Sequence, residues 1–272
     1  MAKQVMGKKT QRSFTRCGEH ANVWQVLAQW YQTHLGQKVE AREKELLHEV
    51  LSNLFGYHLL HMGSVEQLEF LANSRVSRRV VMDVCDSARD AIPGCFQGRP
   101  HAMPVCADSL DVVVLPHILE FSQQPHEVLR EVERTVVPEG HVVVLGFNPF
   151  SSWTIWRWLI GWRGTIPWCG HFISTTRMKD WLSLLGFEVI ETRYYFFRPP
   201  CQQDTILRKL RFLERVGQRL WPIFGGGYVM LARKHVSTLT PIKPRWQSSR
   251  KLVTPGLVEP MSHQRKNNME KS

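Results

Sequence analysis

Two short apolar runs, rich in valine, flank a helical pattern in the middle of the chain. Residues 110–115 and 141–147 are continuously apolar, as is typical of strands that are covered on both faces in a parallel sheet. Between them, apolar residues recur at helical spacing after Pro125, which suits a first helical turn, and residues 138–140 (Pro-Glu-Gly) end that helix. The pattern predicts a βαβ unit with a right-handed crossover.

The carboxyl ends of these two strands indicate where a ligand would bind. In open α/β sheets, ligands lie in the crevice beyond those ends. Here the ends are residues 115–117 and 146–149. We therefore expect a pocket lined by His117 and Asn148.

The remaining elements follow from the same hydrophobic patterns. Two helices are predicted before the first strand, the first ended by Gly36, and another is expected to begin after the capping residue Ser174 and to end at Gly186. The predicted helices span residues 22–35, 40–55, 174–186 and 205–221, and the further predicted strands span residues 57–62, 79–83, 187–196 and 228–234.

Composition limits the class of protein. A chain of 272 residues with 43% hydrophobic residues fits one sizeable domain with tails. It has no long uncharged apolar run for a membrane span, and its N-terminus lacks the apolar region of a secretory signal. The six cysteines include no C-x-x-C pair, and His58 and His61 would point to opposite faces of a strand, so no metal site is expected. The cytoplasm is the expected compartment.

The net charge of +11 is concentrated at the two ends of the chain. We expect disordered basic tails at residues 1–20 and 236–272, with a folded domain at residues 21–235 whose first part, residues 21–56, is a helical extension. The tails could contact nucleic acid or an anionic membrane surface weakly. Solvated, flexible termini are the simpler interpretation.

Four short motifs occur together in order: Ala-Met-Pro at 102–104, Ser-Leu-Asp-Val-Val at 109–113, His-Ile-Leu-Glu at 117–120 and Pro-Glu-Gly at 138–140. Their order and spacing resemble the core of the S-adenosylmethionine (SAM)-dependent class I methyltransferases, in particular the broad type 11 family. The resemblance implies a Rossmann-like α/β fold with an open sheet, mostly parallel with an antiparallel last strand. It also implies SAM as the cofactor and a small-molecule methyl acceptor.

The resemblance assigns the SAM site to the tips of the first two strands. In the family, the first strand ends in a carboxylate followed by a glycine-rich turn; here His61 holds the acidic position, and Gly63 and Ser64 remain as candidate contacts. Asp83 lies twenty residues after Gly63, which is about the distance along the chain at which an acid binds ribose hydroxyl groups in nucleotide-binding folds. Asp86 is the alternative candidate for this role.

The other implied contacts follow along the chain. Arg99 occupies the place of the acid that binds the adenine amino group and could stack on the ring, and Met103 and Leu115 are candidate apolar contacts. His117 is the first candidate for a general base, because it lies at a strand tip and histidine titrates near pH 6.5; His101 and His171 are weaker candidates.

A tryptophan-rich segment follows the second strand of the βαβ unit. Residues 151–168 contain Trp153 and Trp156, which together with Asn148 we assign to binding a small, lipophilic acceptor. An interfacial membrane contact and a helix packed on the sheet are the alternatives.

Three functions are therefore open at this point. The first is a SAM-dependent methyltransferase. The second is a binding or scaffold protein of the same fold whose SAM binding is weakened or lost, since only Gly63 is left of the glycine motif. The third is a nucleic-acid-associated protein, which the basic tails and an arginine stripe at residues 208–219 favour.

Overall fold

The computed structural model describes residues 23–64, 70–84, 94–151, 153–154, 170–199, 217, 219 and 221–235. The chain divides after Val236 into two units, and all of these residues belong to the first. The predicted tails, Asp86 and most of the helix at 205–221 lie outside the described residues.

Two N-terminal helices, α1 (Val23–Tyr31) and α2 (His34–Ser52), precede the sheet. The break between them comes earlier than predicted because Thr33 caps α2: its hydroxyl accepts a hydrogen bond from the amide of Gly36 at 3.2 Å. The prediction that Gly36 ends the first helix is therefore wrong. A Cβ at Gly36 would collide with the carbonyl oxygen of Trp30, so only glycine allows the two helices to approach this closely.

The described residues form a seven-stranded sheet of order β3-β2-β1-β4-β5-β7-β6. Strands β1 to β5 pair in parallel, and β7 lies antiparallel between β5 and β6. This arrangement confirms the predicted fold class. The strands are β1 (His58–Gly63), β2 (Arg78–Asp83), β3 (Cys95–Gln97), β4 (Leu110–Pro116), β5 (Val136–Phe147), β6 (Phe187–Tyr195) and β7 (Gly227–Lys234).

The βαβ unit is present, with one difference in its second strand. After β4 come the short helix α3 (Ile118–Phe121) and helix α4 (Pro125–Thr135), which begins at Pro125 as predicted. Strand β5 starts at Val136, earlier than expected, because residues 138–140 turn within the strand. Glu139 adopts a left-handed conformation, with φ at 63°, and the register against β4 shifts after Leu110.

Helix α5 (Thr175–Leu184) confirms its predicted ends. Ser174 caps it by accepting a hydrogen bond from the amide of Arg177 at 3.3 Å. Gly186 follows the helix with φ at 80°, a conformation that glycine adopts without strain, and leads directly into β6.

Helices cover both faces of the sheet. Alternate residues of β4 serve opposite faces: Val112 and Val114 pack with α1 and α2, whereas Val113 and Leu115 pack with α4 and α5. Burial on both faces explains why the strand is continuously apolar, and each such side chain contributes about 1.5–3 kcal/mol. Within the described part of the chain, no helix has both the length and the apolar character that a bilayer crossing requires.

Candidate functional site

A small cleft, with a cavity volume of about 20 Å³, opens at the carboxyl edge of the sheet. Its floor comes from the tips of β1, β2 and β4, and its roof is the apolar face of α1. On α1, residues at helical positions i, i+3, i+4 and i+7 share that face. The lining residues are Trp24, Leu27, Ala28, Tyr31, Gly63, Ser64, Val84, Pro116 and Ile118.

The tips of β1 and β2 bring three predicted cofactor residues together. Gly63 pairs with Asp83 in register, and Ser64 follows Gly63 at the edge of the cleft. Asp83 is buried, and the residue after it, Val84, lines the cleft. A carboxylate at this tip suits a ligand with neighbouring hydroxyl groups, because its two oxygens accept two hydrogen bonds.

Beside the cleft, at the tips of β4 and β5, lies a cluster of three buried ionisable side chains: Glu43, His117 and Glu120. The imidazole of His117 lies between the two carboxylates, with Nε2 at 3.0 Å from Glu43 Oε1 and Nδ1 at 2.7 Å from Glu120 Oε2. His117 itself has a left-handed backbone, with φ at 54°, where β4 turns into α3. The cluster therefore links helix α2 to the tip of β4.

Other elements complete the hydrogen bonding of the cluster. Tyr31 of α1 donates to Glu43 Oε2 at 3.0 Å, and Tyr195 of β6 donates to Glu43 Oε1 at 2.6 Å. The amide of Phe147, at the end of β5, donates to Glu120 Oε1, and its ring stacks on His117 with the centroids 4.1 Å apart. Buried charges are tolerated only when paired and hydrogen-bonded, and these are.

The electrostatics of the cluster keep His117 protonated. Burial would lower the pKa of the imidazole, but the charges of Glu43 and Glu120 and their hydrogen bonds outweigh it and raise the pKa to about 10. Burial raises the pKa of the Glu120 carboxyl, which His117 and the Phe147 amide partly counter. The pKa values of Tyr31 and Tyr195 lie well above 10, because burial and the charge of Glu43 disfavour the phenolates.

The prediction that His117 acts as a general base does not fit this environment. A base must be able to take up a proton and to reach the substrate. His117 is fully buried, both ring nitrogens are occupied, and the imidazole is already charged at neutral pH. The geometry gives it a structural role in joining three elements.

The side-chain nitrogen and oxygen of Asn148 are hydrogen-bonded within the protein. Its amide nitrogen donates to the carbonyl oxygens of Ile223 at 2.6 Å and Gly225 at 2.9 Å, and its oxygen accepts from the amide of Phe150 at 3.0 Å. The side chain is buried, so it holds two loops together and offers no free polar group to an acceptor.

Trp153 belongs to the core. Only 1% of it is exposed, its ring stacks on Phe147 with the centroids 5.6 Å apart, and it meets Phe196 edge-on. Its indole nitrogen donates to the carbonyl oxygen of Arg198 at 3.1 Å. The alternative of packing on the sheet therefore suits Trp153 better than acceptor binding. Trp156 lies outside the described residues.

Four of the six predicted cofactor contacts, Asp83 among them, are not among the cleft-lining residues that the structure describes. Leu115 is fully buried in the core on the α4 face, whereas its neighbour Pro116 lines the cleft, so any contact from Leu115 would involve its backbone. Met103 packs in the same core cluster, and Arg99 is exposed in a turn that bridges to Ala102.

Sequence reasoning missed Glu43, Tyr31 and Tyr195. Glu43 lies on α2, far from His117 in sequence, and its neighbours are mostly charged, so it looks like a surface residue. Glu120 belongs to the quoted His-Ile-Leu-Glu motif, and this spacing was an available signal for a pair. Among the described residues, no group of His, Cys, Asp or Glu is arranged to hold a metal ion.

Comparisons with known proteins agree with this geometry. Residues 60–144 match the methyltransferase domain family. A search of curated proteins finds YafS of Escherichia coli, described as an uncharacterized protein, at 28% identity over 200 residues, which cover 74% of this chain and 77% of YafS.

Solved structures show the same fold. A SAM-dependent methyltransferase of Thermotoga maritima has a TM-score of 0.57 at 15% identity, covering 82% of this chain and 99% of that protein. Another from Archaeoglobus fulgidus has a TM-score of 0.50 at 16% identity, covering 73% and 94%. With the strand order, these matches show that the chain has the same Rossmann-like fold as those proteins, and the part that matches the methyltransferase domain model runs from β1 to β5.

Proposed function

We propose that this protein is a SAM-dependent methyltransferase whose acceptor is a small, lipophilic molecule. The observation that carries the proposal is the cleft at the tips of β1, β2 and β4, which is lined by Gly63 and Val84, the strand partner and the chain neighbour of Asp83, and has the apolar face of α1 above it. Ligands of open α/β sheets bind at such an edge. The cleft has a volume of about 20 Å³, which is room for about one water molecule, so binding SAM would require α1 to move away from the strand tips.

The described residues fit the parts of SAM. Asp83 would accept hydrogen bonds from the ribose hydroxyl groups, and Gly63 and Ser64 would lie beside the methionine portion. Behind Tyr31 lies a cluster with two carboxylates and one imidazolium, whose charge favours a cation in the cleft. When bound, SAM supplies a methyl group on a positively charged sulfur.

In such a transfer, the protein would align the acceptor with the methyl group and exclude water from the cleft. An in-line displacement needs the acceptor to be held against the methyl group, and well-aligned reactants gain about 7–11 kcal/mol over free encounter. Trp24, Leu27 and Ala28 form an apolar wall that would exclude water and favour a lipophilic acceptor. His117 would act by fixing α2 and the tip of β4 around the cleft.

Isothermal titration with S-adenosylhomocysteine tests the proposal. Wild-type protein should bind it, and Asp83→Asn should bind it at least tenfold more weakly, because an amide accepts fewer hydroxyl hydrogen bonds. Asp180→Asn, on the exposed side of α5, is the matched control and should bind like the wild type. If the wild-type protein gives no binding heat, or if the two variants behave alike, the proposal is rejected.

A binding protein that has lost SAM affinity is the second candidate. The observation that favours it is His61, a fully buried imidazole on β1 where the resemblance places an acid, followed by a single glycine. The same titration separates the two functions. The nucleic-acid hypothesis rests on the tails and the arginine stripe, and it stays a prediction.

A further inference from the structure

Four large apolar side chains are exposed on two segments, one that follows the end of β5 and one that precedes the start of β7. They are Phe150, Trp221, Ile223 and Phe224, and between 56% and 62% of each is exposed. We call them the aromatic patch. Single exposed apolar residues are common, but several aromatic residues on neighbouring loops indicate a contact surface.

Asn148 joins the two segments that carry the aromatic patch. Through the three hydrogen bonds given above, it fixes the loop that carries Phe150 against the turn that carries Ile223 and Phe224. The amide of Asn148 also donates to the carbonyl oxygen of Gly226 at 2.9 Å. A buried asparagine whose side-chain polar groups are all hydrogen-bonded holds the backbones of the two segments in fixed positions.

The patch lies at the same edge of the sheet as the cleft. Asn148 follows the carboxyl end of β5, and Gly225 precedes the start of the antiparallel strand β7, which is at that edge. Strand β4, whose tip contributes Pro116 and Ile118 to the cleft, is the neighbour of β5. A surface that covers the patch would therefore face the side from which an acceptor enters.

The chemistry of the patch and of the chain selects the partner. Tryptophan and phenylalanine are favoured at the headgroup level of a bilayer, where an apolar ring can be buried beside polar groups. Arg219 is exposed two residues before Trp221, and a cationic side chain beside exposed rings favours an anionic surface. No described helix could cross a membrane, so any contact of these elements with the bilayer is peripheral.

We propose that the aromatic patch docks on an anionic lipid bilayer. This assignment, resting on the proposed function, also names the acceptor class: a lipid-soluble molecule that reaches the cleft from the bilayer. The rings enter the headgroup region, while basic side chains contact the anionic headgroups. The acceptor then moves from the membrane to the cleft along the edge of the sheet.

Co-sedimentation with vesicles tests the docking surface in the full-length protein. The probes are vesicles of phosphatidylcholine alone and of phosphatidylcholine with one quarter phosphatidylglycerol. The patch variant is Phe150→Ser/Phe224→Ser. The matched control is Phe55→Ser/Tyr57→Ser, which removes two aromatic side chains that are even more exposed but lie at the opposite edge, before β1.

We expect the wild type and the control variant to bind the anionic vesicles equally well. The patch variant should bind these vesicles at least tenfold more weakly. All three proteins should bind much more weakly to vesicles of phosphatidylcholine alone. Equal binding by both variants, or no binding by the wild type, would overturn the proposal. So would loss of a dimer in the patch variant without vesicle binding, because the patch would then be an interface between copies. Titration of the same proteins with S-adenosylhomocysteine reports separately on the proposed function.

Discussion

The carboxyl edge of the sheet has two halves with opposite character. At the tips of β1 and β2, the backbone leaves an apolar cleft beside Asp83. At the tips of β4 and β5, the corresponding space is filled by Glu43, His117 and Glu120, whose polar atoms bind one another. One half is open and mostly apolar, and the other joins the helices to the strand tips. We therefore expect substitutions in the filled half to affect stability first and substitutions in the open half to affect binding first.

The largest expected effect is that of Glu43→Ala. Removing one partner of a buried ion pair leaves an uncompensated charge and costs about 3–5 kcal/mol. Two tyrosine hydroxyl groups would also lose their acceptor. The free energy of unfolding, measured in urea, should fall by this amount.

Glu49→Ala is the matched control for that experiment. Glu49 is on the same helix and pairs with Arg193 at 2.6 Å, but it is more than half exposed, and such pairs contribute about 0–1 kcal/mol. Equal losses in the two variants would mean that the buried cluster has no special role in stability.

The second expected effect is a decline in stability at alkaline pH. The folded-state pKa of His117, about 10, lies above the ordinary value of 6.5, so its stabilisation is complete below pH 6.5 and is lost as the pH rises towards 10. Unfolding in urea at pH 6.5 and 9.5 should differ by a few kcal/mol, as an order of magnitude.

His141→Gln provides the control for the pH experiment. Burial and then the charge of Arg233 lower the pKa of His141, so its titration destabilises the protein only as the pH falls. The alkaline decline should persist in this variant and should become much smaller in His117→Asn.

Nitrogen chemical shifts of His117 give an independent measurement, since they should show an imidazolium at pH 8. A neutral ring at that pH would contradict the assignment.

Helices and strands could be predicted from the sequence where neighbouring residues carry the signal. Valine-rich runs, Pro125 and the Ser174 cap define elements through neighbouring residues, and the structure confirms them. The contacts of His117 could not be predicted in the same way, because Glu43 reaches it from a helix distant in sequence. The position of His117 at a strand tip suggested chemistry, yet its protonation depends on two charges that only the folded chain brings together.

The third expected effect concerns the open half. Ala28 lines the cleft, and the ring of Ala28→Phe would occupy it. Binding of S-adenosylhomocysteine should weaken at least tenfold, which corresponds to about 1.4 kcal/mol, with little change in the urea midpoint. Gln29→Phe adds the same ring at the next, exposed position of α1 and should leave binding unchanged. Comparable weakening by both variants would place the ligand elsewhere.

The smallest expected effect tests how the two halves are joined. Thr33 caps α2 through Gly36 and donates its own hydroxyl hydrogen to the carbonyl oxygen of Trp30 at 2.7 Å. Thr33→Ala should cost about 1 kcal/mol, as loss of a capping side chain usually does. Because α1 roofs the cleft and α2 carries Glu43, loosening their junction should also weaken S-adenosylhomocysteine binding, by two- to threefold. Ser174→Ala removes an equivalent cap from α5, which lines no part of the described cleft, so it should lower stability to a similar extent without any change in affinity.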